Sequence, residues 1–284
     1  MALYFKYMPL DRWKDVLGRG RIRFTPPGAF NDPFEMPSLK IKEVEAEKLS
    51  FLASNMMQTT EMLDALSHGT FSAATFTPPY LYRAARNREA RASLTEAEKR
   101  ERVRKLDEAT EHLGRIDFTY GILSLTAKSD NLLLWAHYAD EHRGIAIGID
   151  ASVLERRYLD SGRDKYQMAR NVTYSHTRPR IPVEKTILAE HFYVKSPEWE
   201  YEHEYRIVRH LKDRTEELPL QPFAIHLYEL PPDAVREVVF GSRVTEQRRK
   251  EVIDGIRLNA AYSHVAFLKA RISRESFQLE FDPL

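Results

Sequence analysis

The chain has 284 residues, 43% of them hydrophobic and 30% charged, which is enough apolar material for a full core in one large domain. A formal net charge of +1 excludes an extended polyanion-binding surface, so no bulk nucleic-acid affinity is expected, and the absence of cysteine excludes disulfides, thiolate nucleophiles and cysteine-based zinc sites. No apolar run reaches membrane-spanning length and the opening Met-Ala-Leu-Tyr-Phe-Lys lacks the layout of a secretory leader, so a cytoplasmic protein without membrane attachment is expected.

Residues 4–7 read as a short strand. Asp11 is placed to cap a short helix through Leu17, which Gly18 and Gly20 end before a strand over 21–25. Pro26-Pro27-Gly28 then forces a turn. In the loop that follows, Phe30-Asn-Asp-Pro-Phe34, Asn31 or Asp32 is placed to close an Asx-turn, and both are expected to shape a pocket wall. From about 40 to 115 the texture changes to long charged stretches with helical spacing. Thr95 with Glu98 makes a capping box, and Val103, Leu106, Thr110 and Leu113 form a narrow stripe. The expectation is a helical insertion over 40–115 within a single domain of 1–284.

The segment 130–142 places Asp130 to cap a short helix whose apolar residues nearly surround it, so the helix should be buried. Trp135 and Tyr138 fit either the core or a pocket wall, and His137 has Tyr138 and acidic neighbours as polar partners. His137, Asp140 and His142 match no standard zinc spacing, and no metal is expected. Short β segments at 121–126, 145–149, 171–175, 204–211, 223–228, 235–240, 265–271 and 277–281 alternate with helices. The class is therefore α+β, with a mixed, mostly antiparallel sheet.

The richest stretch is Ser196-Pro-Glu-Trp-Glu-Tyr-Glu-His-Glu-Tyr-Arg-Ile-Val208. Read with period two, Glu202, Glu204 and Arg206 share one face and Tyr201, His203, Tyr205 and Ile207 the other. Carboxylates about 7 Å apart on one face repel unless water, a cation or a substrate hydroxyl lies between them. The stripe is either a solvated edge or a site.

Four segments together resemble a bacterial family of unknown function, DUF2971: Phe5-Lys-Tyr7, Arg21-Ile-Arg-Phe-Thr-Pro-Pro-Gly-Ala-Phe-Asn-Asp-Pro-Phe-Glu35, Leu134-Trp-Ala-His-Tyr-Ala-Asp140 and Trp199-Glu-Tyr-Glu-His-Glu-Tyr-Arg206. Their order is also distantly similar to the ADP-ribosyltransferase fold, whose sheet is split. That resemblance implies NAD as substrate and no metal. It places Lys6 or Tyr7 at the adenosine side, Ser124 or Tyr138 at the nicotinamide slot and Glu204 at the nicotinamide ribose. Phe5-Lys6-Tyr7 stands where that fold usually carries an Arg or His. The implied activity is transfer of ADP-ribose to an unknown macromolecular acceptor, as a toxin or phage-defence effector. Glu204 would stabilise the oxocarbenium charge and Glu202 would activate the acceptor. Glu204→Gln is then expected to lower turnover with little change in stability. The alternative is a non-catalytic module that binds a nucleotide or peptide in the same cleft, stacking it on Trp135, Tyr138 and Trp199 and holding its phosphate or carboxylate with Arg206.

Overall fold

A computed structural model of the protein describes residues 3–32, 34, 38–40, 104, 119–159, 168–178, 180–182 and 192–284. The chain divides into two compact units, one of Met1–Met36, Ile116–Thr177 and Ala189–Leu284, the other of Pro37–Arg115 and Arg178–Leu188. The helical insertion expected over 40–115, with its capping box at Thr95 and Glu98, lies almost wholly outside the described residues.

Strands are numbered along the chain: β1 (Leu3–Met8), β2 (Arg21–Phe24), β3 (Ser38–Lys40), β4 (Tyr120–Thr126), β5 (Ile145–Asp150), β6 (Arg170–Asn171), β7 (Thr173–Tyr174) and β8 (Arg180–Pro182). They continue with β9 (Val194–Lys195), β10 (Glu204–His210), β11 (Glu216–Leu218), β12 (Ile225–Glu229), β13 (Val235–Phe240), β14 (Ala266–Ile272) and β15 (Leu279–Pro283). The described α-helices are α1 (Leu132–Tyr138), α2 (Ala151–Leu159) and α3 (Glu246–Arg257). In the second unit, β3 and β8 form a parallel pair.

The first unit is built on an eight-stranded sheet in the order β15-β14-β13-β5-β1-β4-β10-β6. Its neighbours are antiparallel except β13 and β14, which α3 connects as a crossover. The fold is thus α+β with a mixed, mostly antiparallel sheet. Every residue of β5 is buried, as a strand covered on both faces requires. One face carries Phe5, Tyr7, Ala146 and Val239 and packs against Leu134 and Trp135 of α1. The other carries Ile145, Ile147 and Ile149 and packs against Leu154 of α2 and Val252 and Ile256 of α3. Alternation along each strand sorts these residues between the two layers.

Strand pairing is uneven around β4. β1 pairs with β5 along its full length, and β4 with β10 along seven residues, but β1 and β4 pair at one position, Phe5 opposite Thr126. Further back on the same edge of β4, Ile122 exchanges two backbone hydrogen bonds with Thr25 at the end of β2, at 2.8 and 2.9 Å. β1 and β2 therefore take opposite ends of one β4 edge and diverge between them, with Ser124 at the fork. β2 also pairs with β12, which pairs with β11, to make a separate three-stranded sheet.

Local starts and stops differ from the sequence reading in three places. Asp11 caps nothing. It lies in a 3₁₀ turn, Leu10–Arg12, that leads into a π-helical turn, Lys14–Gly18, and its carboxylate accepts from Arg248 of α3. The cap of α1 is Asn131 rather than Asp130: its Oδ1 accepts from Leu133 N at 3.0 Å and Leu134 N at 3.2 Å. The stretch before β10 is a 3₁₀ helix, Pro197–Glu202, with proline in its first turn and acidic Glu198 and Glu200 there.

Candidate functional site

A cavity of about 360 Å³ opens at the fork between β1 and β2, a volume within the range of small-ligand pockets. One wall is apolar and aromatic, with Phe5, Tyr7, Phe30, Leu134 and Tyr138. Charged groups sit among these rings: Lys6 from β1, Arg23 from β2, Lys195 from β9, and Glu202 and Glu204 at the entry to β10.

The two carboxylates do share a site, although not as neighbours on one strand. Glu202 ends the 3₁₀ helix, His203 takes a left-handed conformation with φ 43°, and the strand begins at Glu204. Thr126 helps fix this reversal by donating its hydroxyl to Glu202 O at 2.6 Å. The cation between the carboxylates is Lys195, whose Nζ donates to Glu202 Oε2 at 2.6 Å and Glu204 Oε2 at 3.1 Å. Its ammonium also lies 4.7 Å from the centre of the Trp199 ring. The remaining oxygens are engaged as well. Tyr138 donates its hydroxyl to Glu202 Oε1 at 2.8 Å, and Arg206 grips both oxygens of Glu204, at 2.8 and 2.9 Å. Arg206 Nη1 donates to Phe192 O at 2.7 Å, which fixes the guanidinium in place.

These contacts set the protonation states. Burial pushes the Glu204 carboxyl up, but the charge and hydrogen bonds of Arg206, then Lys195, outweigh it and hold the group at about 2. Burial pushes the Tyr138 phenol well above its ordinary value, and the Glu202 charge adds to the rise. Asn31 acts on the same hydroxyl in the opposite direction. Tyr7 is likewise raised by burial, and donates its hydroxyl to Lys128 O at 2.9 Å. Lys6 spans the fork, its Nζ donating to Ser124 O at 2.9 Å. Burial lowers its ammonium to about 8; Glu204 opposes the shift, and Arg23 adds to it.

Of the residues expected from sequence to form the site, Lys6, Tyr7, Asn31, Ser124, Tyr138, Glu202 and Glu204 line this cavity. The others do not. Trp135 has no exposed surface: its indole donates to Ser129 O at 2.8 Å and its ring meets the Tyr7 ring edge-on at 5.0 Å, so it braces Tyr7 and offers no stacking face. Arg206 is 1% exposed and committed to Glu204, so it acts through that carboxylate. His137 is an exposed residue of α1 whose ring stands edge-on to Tyr138 at 6.5 Å, away from the cavity lining. Asp32 closes the Asx-turn, accepting from Phe34 N at 2.8 Å, and so shapes the loop that carries Phe30 and Asn31. Trp199 backs Lys195. Among the described residues no group of three or more His, Asp or Glu side chains is placed to hold a metal.

Lys195, Arg23 and Phe30 are among the lining residues that escaped the sequence reading. A signal existed for Arg23, because Ile22 and Phe24 are core residues and alternation sends Arg21 and Arg23 to the opposite face. Lys195 belongs to a strand of two residues, too short for any period to show.

The model of a family described as a protein of unknown function, DUF2971, matches residues 134–207, the span that holds Tyr138, Lys195, Glu202, Glu204 and Arg206. No curated protein and no solved structure matches the chain.

Proposed function

We propose that the cavity binds a nucleotide, NAD among the candidates, and that the protein works chiefly as a nucleotide-binding module. The observation that carries this reading is the state of the two carboxylates. All four oxygens of Glu202 and Glu204 are occupied by Lys195, Arg206 or Tyr138, and Glu204 is 4% exposed. A carboxylate that must stabilise a ribosyl cation needs an oxygen free to face the sugar and a charge that is not already neutralised. The aromatic side chains and the charged groups set among them suit a ligand that carries both a ring and a charge.

A second reading has its own support. Ser124, Tyr138, Glu202 and Glu204 come from three separate segments and line one cavity, in the order that the likeness to ADP-ribosyltransferases implies. Under it, ligand binding frees an oxygen of Glu204, the bond between nicotinamide and ribose breaks, and ADP-ribose passes to an acceptor.

Calorimetric titration of the full chain with NAD and AMP, beside an assay of nicotinamide release in the presence of cell extract, separates the two. Saturable binding without release is expected. Release by the native protein that falls about 100-fold in a folded Ser124→Ala or Glu202→Gln variant would establish the enzyme instead. Neither binding nor release would sink both.

A further inference from the structure

Within this cavity, several polar groups have donors that meet no acceptor among the described residues. Arg23 makes no hydrogen bond or ion pair with any described residue, and its Nε is sealed from solvent without an acceptor. The Ser124 hydroxyl is also buried with no hydrogen-bond partner within ordinary distance. Lys6 spends one donor on Ser124 O and forms no ion pair with a described residue. Buried donors left unmade are costly, and two cations at one fork repel each other besides. The carboxylates across the cavity relieve them only in part: Glu204 attracts the Lys6 ammonium and the Ser124 hydroxyl without forming an ion pair or a hydrogen bond of ordinary length with either. Glu204 and Glu202 are already met by Arg206 and Lys195, while Arg12, which adds to the positive field, is paired with Asp15. Three cations, Lys6, Arg23 and Lys195, thus line the cavity against two carboxylates, with Arg206 behind as a fourth.

We infer that Arg23, Lys6 and the Ser124 hydroxyl form an oxyanion subsite at the fork, built to take a phosphate group of the bound nucleotide. A guanidinium presents parallel N–H groups that match two phosphate oxygens, an ammonium supplies a compact charge, and a hydroxyl rotates to donate to a third. β2 contributes the arginine, β1 the lysine and β4 the serine, so the phosphate sits where the strands part. The inference rests on the cavity being a ligand site. It does not rest on NAD being the ligand.

The test uses the full chain with inorganic pyrophosphate as probe, and AMP beside adenosine. Pyrophosphate should bind at one site, and AMP should bind at least about tenfold more tightly than adenosine, as expected for charge-assisted hydrogen bonds. Arg23→Gln should abolish both effects, and Arg23→Lys should keep part of them. Because Arg23 has no partner among the described residues, Arg23→Gln should also melt at a temperature equal to or above that of the native chain, a gain that a structural arginine would not show. No pyrophosphate heat from the native protein at millimolar concentration, or unchanged pyrophosphate affinity in Arg23→Gln, overturns the subsite. If NAD fails to bind while pyrophosphate still depends on Arg23, the nucleotide assignment fails and the subsite stands. If NAD binds equally to native and Arg23→Gln proteins, the subsite fails and the wider reading survives.

Discussion

Lys195 holds the site together at the level of single residues. It is 6% exposed, and it faces two carboxylates that are equally buried. Removing one partner of such a cluster leaves charge without compensation, which costs more than the cluster contributes when whole. Lys195→Met should therefore destabilise the fold by about 3–5 kcal/mol, read as a shift of the urea midpoint, and adding Glu202→Gln should restore part of it. A loss below about 1 kcal/mol would mean that the carboxylates rely on water instead. The same reasoning argues against the expectation that Glu204→Gln is structurally mild, because Arg206 would lose its anion and Lys195 one of its two. Repulsion between Glu202 and Glu204 made a counter-charge legible in the sequence. Its identity was not legible, because the lysine arrives from a separate short strand and the two glutamates are set by a helix end and a left-handed His203, which period-two reading cannot register.

Among the secondary-structure elements, α1 ties the cavity's aromatic wall to the carboxylate turn. Asn131 does this with both ends of its amide: the oxygen caps α1, and the nitrogen donates to Tyr201 O in the 3₁₀ helix that leads to Glu202. Asn131→Ala should cost about 2 kcal/mol, about half from the cap and half from the lost link. Asn131→Asp keeps the cap alone, so it should recover about half in thermal or urea unfolding; equal losses in the two variants would refute the division. The strand Val235–Phe240 was readable to the residue because β-branched and aromatic residues run between the turn signals Pro231-Pro232-Asp233 and Gly241-Ser242. The segment 171–175 reads as one strand but forms the ends of two, β6 and β7, which pair with β10 and β9. Nothing local records that exchange of partners. The fork was equally hidden, since it depends on which edge of β4 two distant strands reach.

Across the whole molecule, buried ionisable groups tie stability to pH. Glu204 is held at about 2 against an ordinary value of 4.5, so its folded form resists protonation and the unfolded chain takes up the proton first. Stability from this group is present above about 4.5 and is lost as pH falls toward about 2. Asp150 is lowered too: burial raises it, but bonds from Ser152 and Arg236 prevail. His142 and His226, lowered first by burial, act in the same direction from nearer neutrality, because unfolding lets them protonate. Unfolding free energy measured in urea across pH 7 to 2 should therefore fall, most steeply below the ordinary carboxylate range, with Glu237, which burial raises, acting against the others. A flat profile there would refute the assigned charge states.

The single Phe5–Thr126 rung has one more consequence. It leaves a seam down the sheet, with five strands laddered together on the β1 side and three on the β4 side. Lys6 and Tyr7 stand on one bank of that seam, Ser124 and Glu204 on the other. Anything that fills the cavity touches both banks and adds a stitch to the rung and to the Lys6–Ser124 bond. A ligand there would bear on the angle between the two half-sheets through the backbone itself.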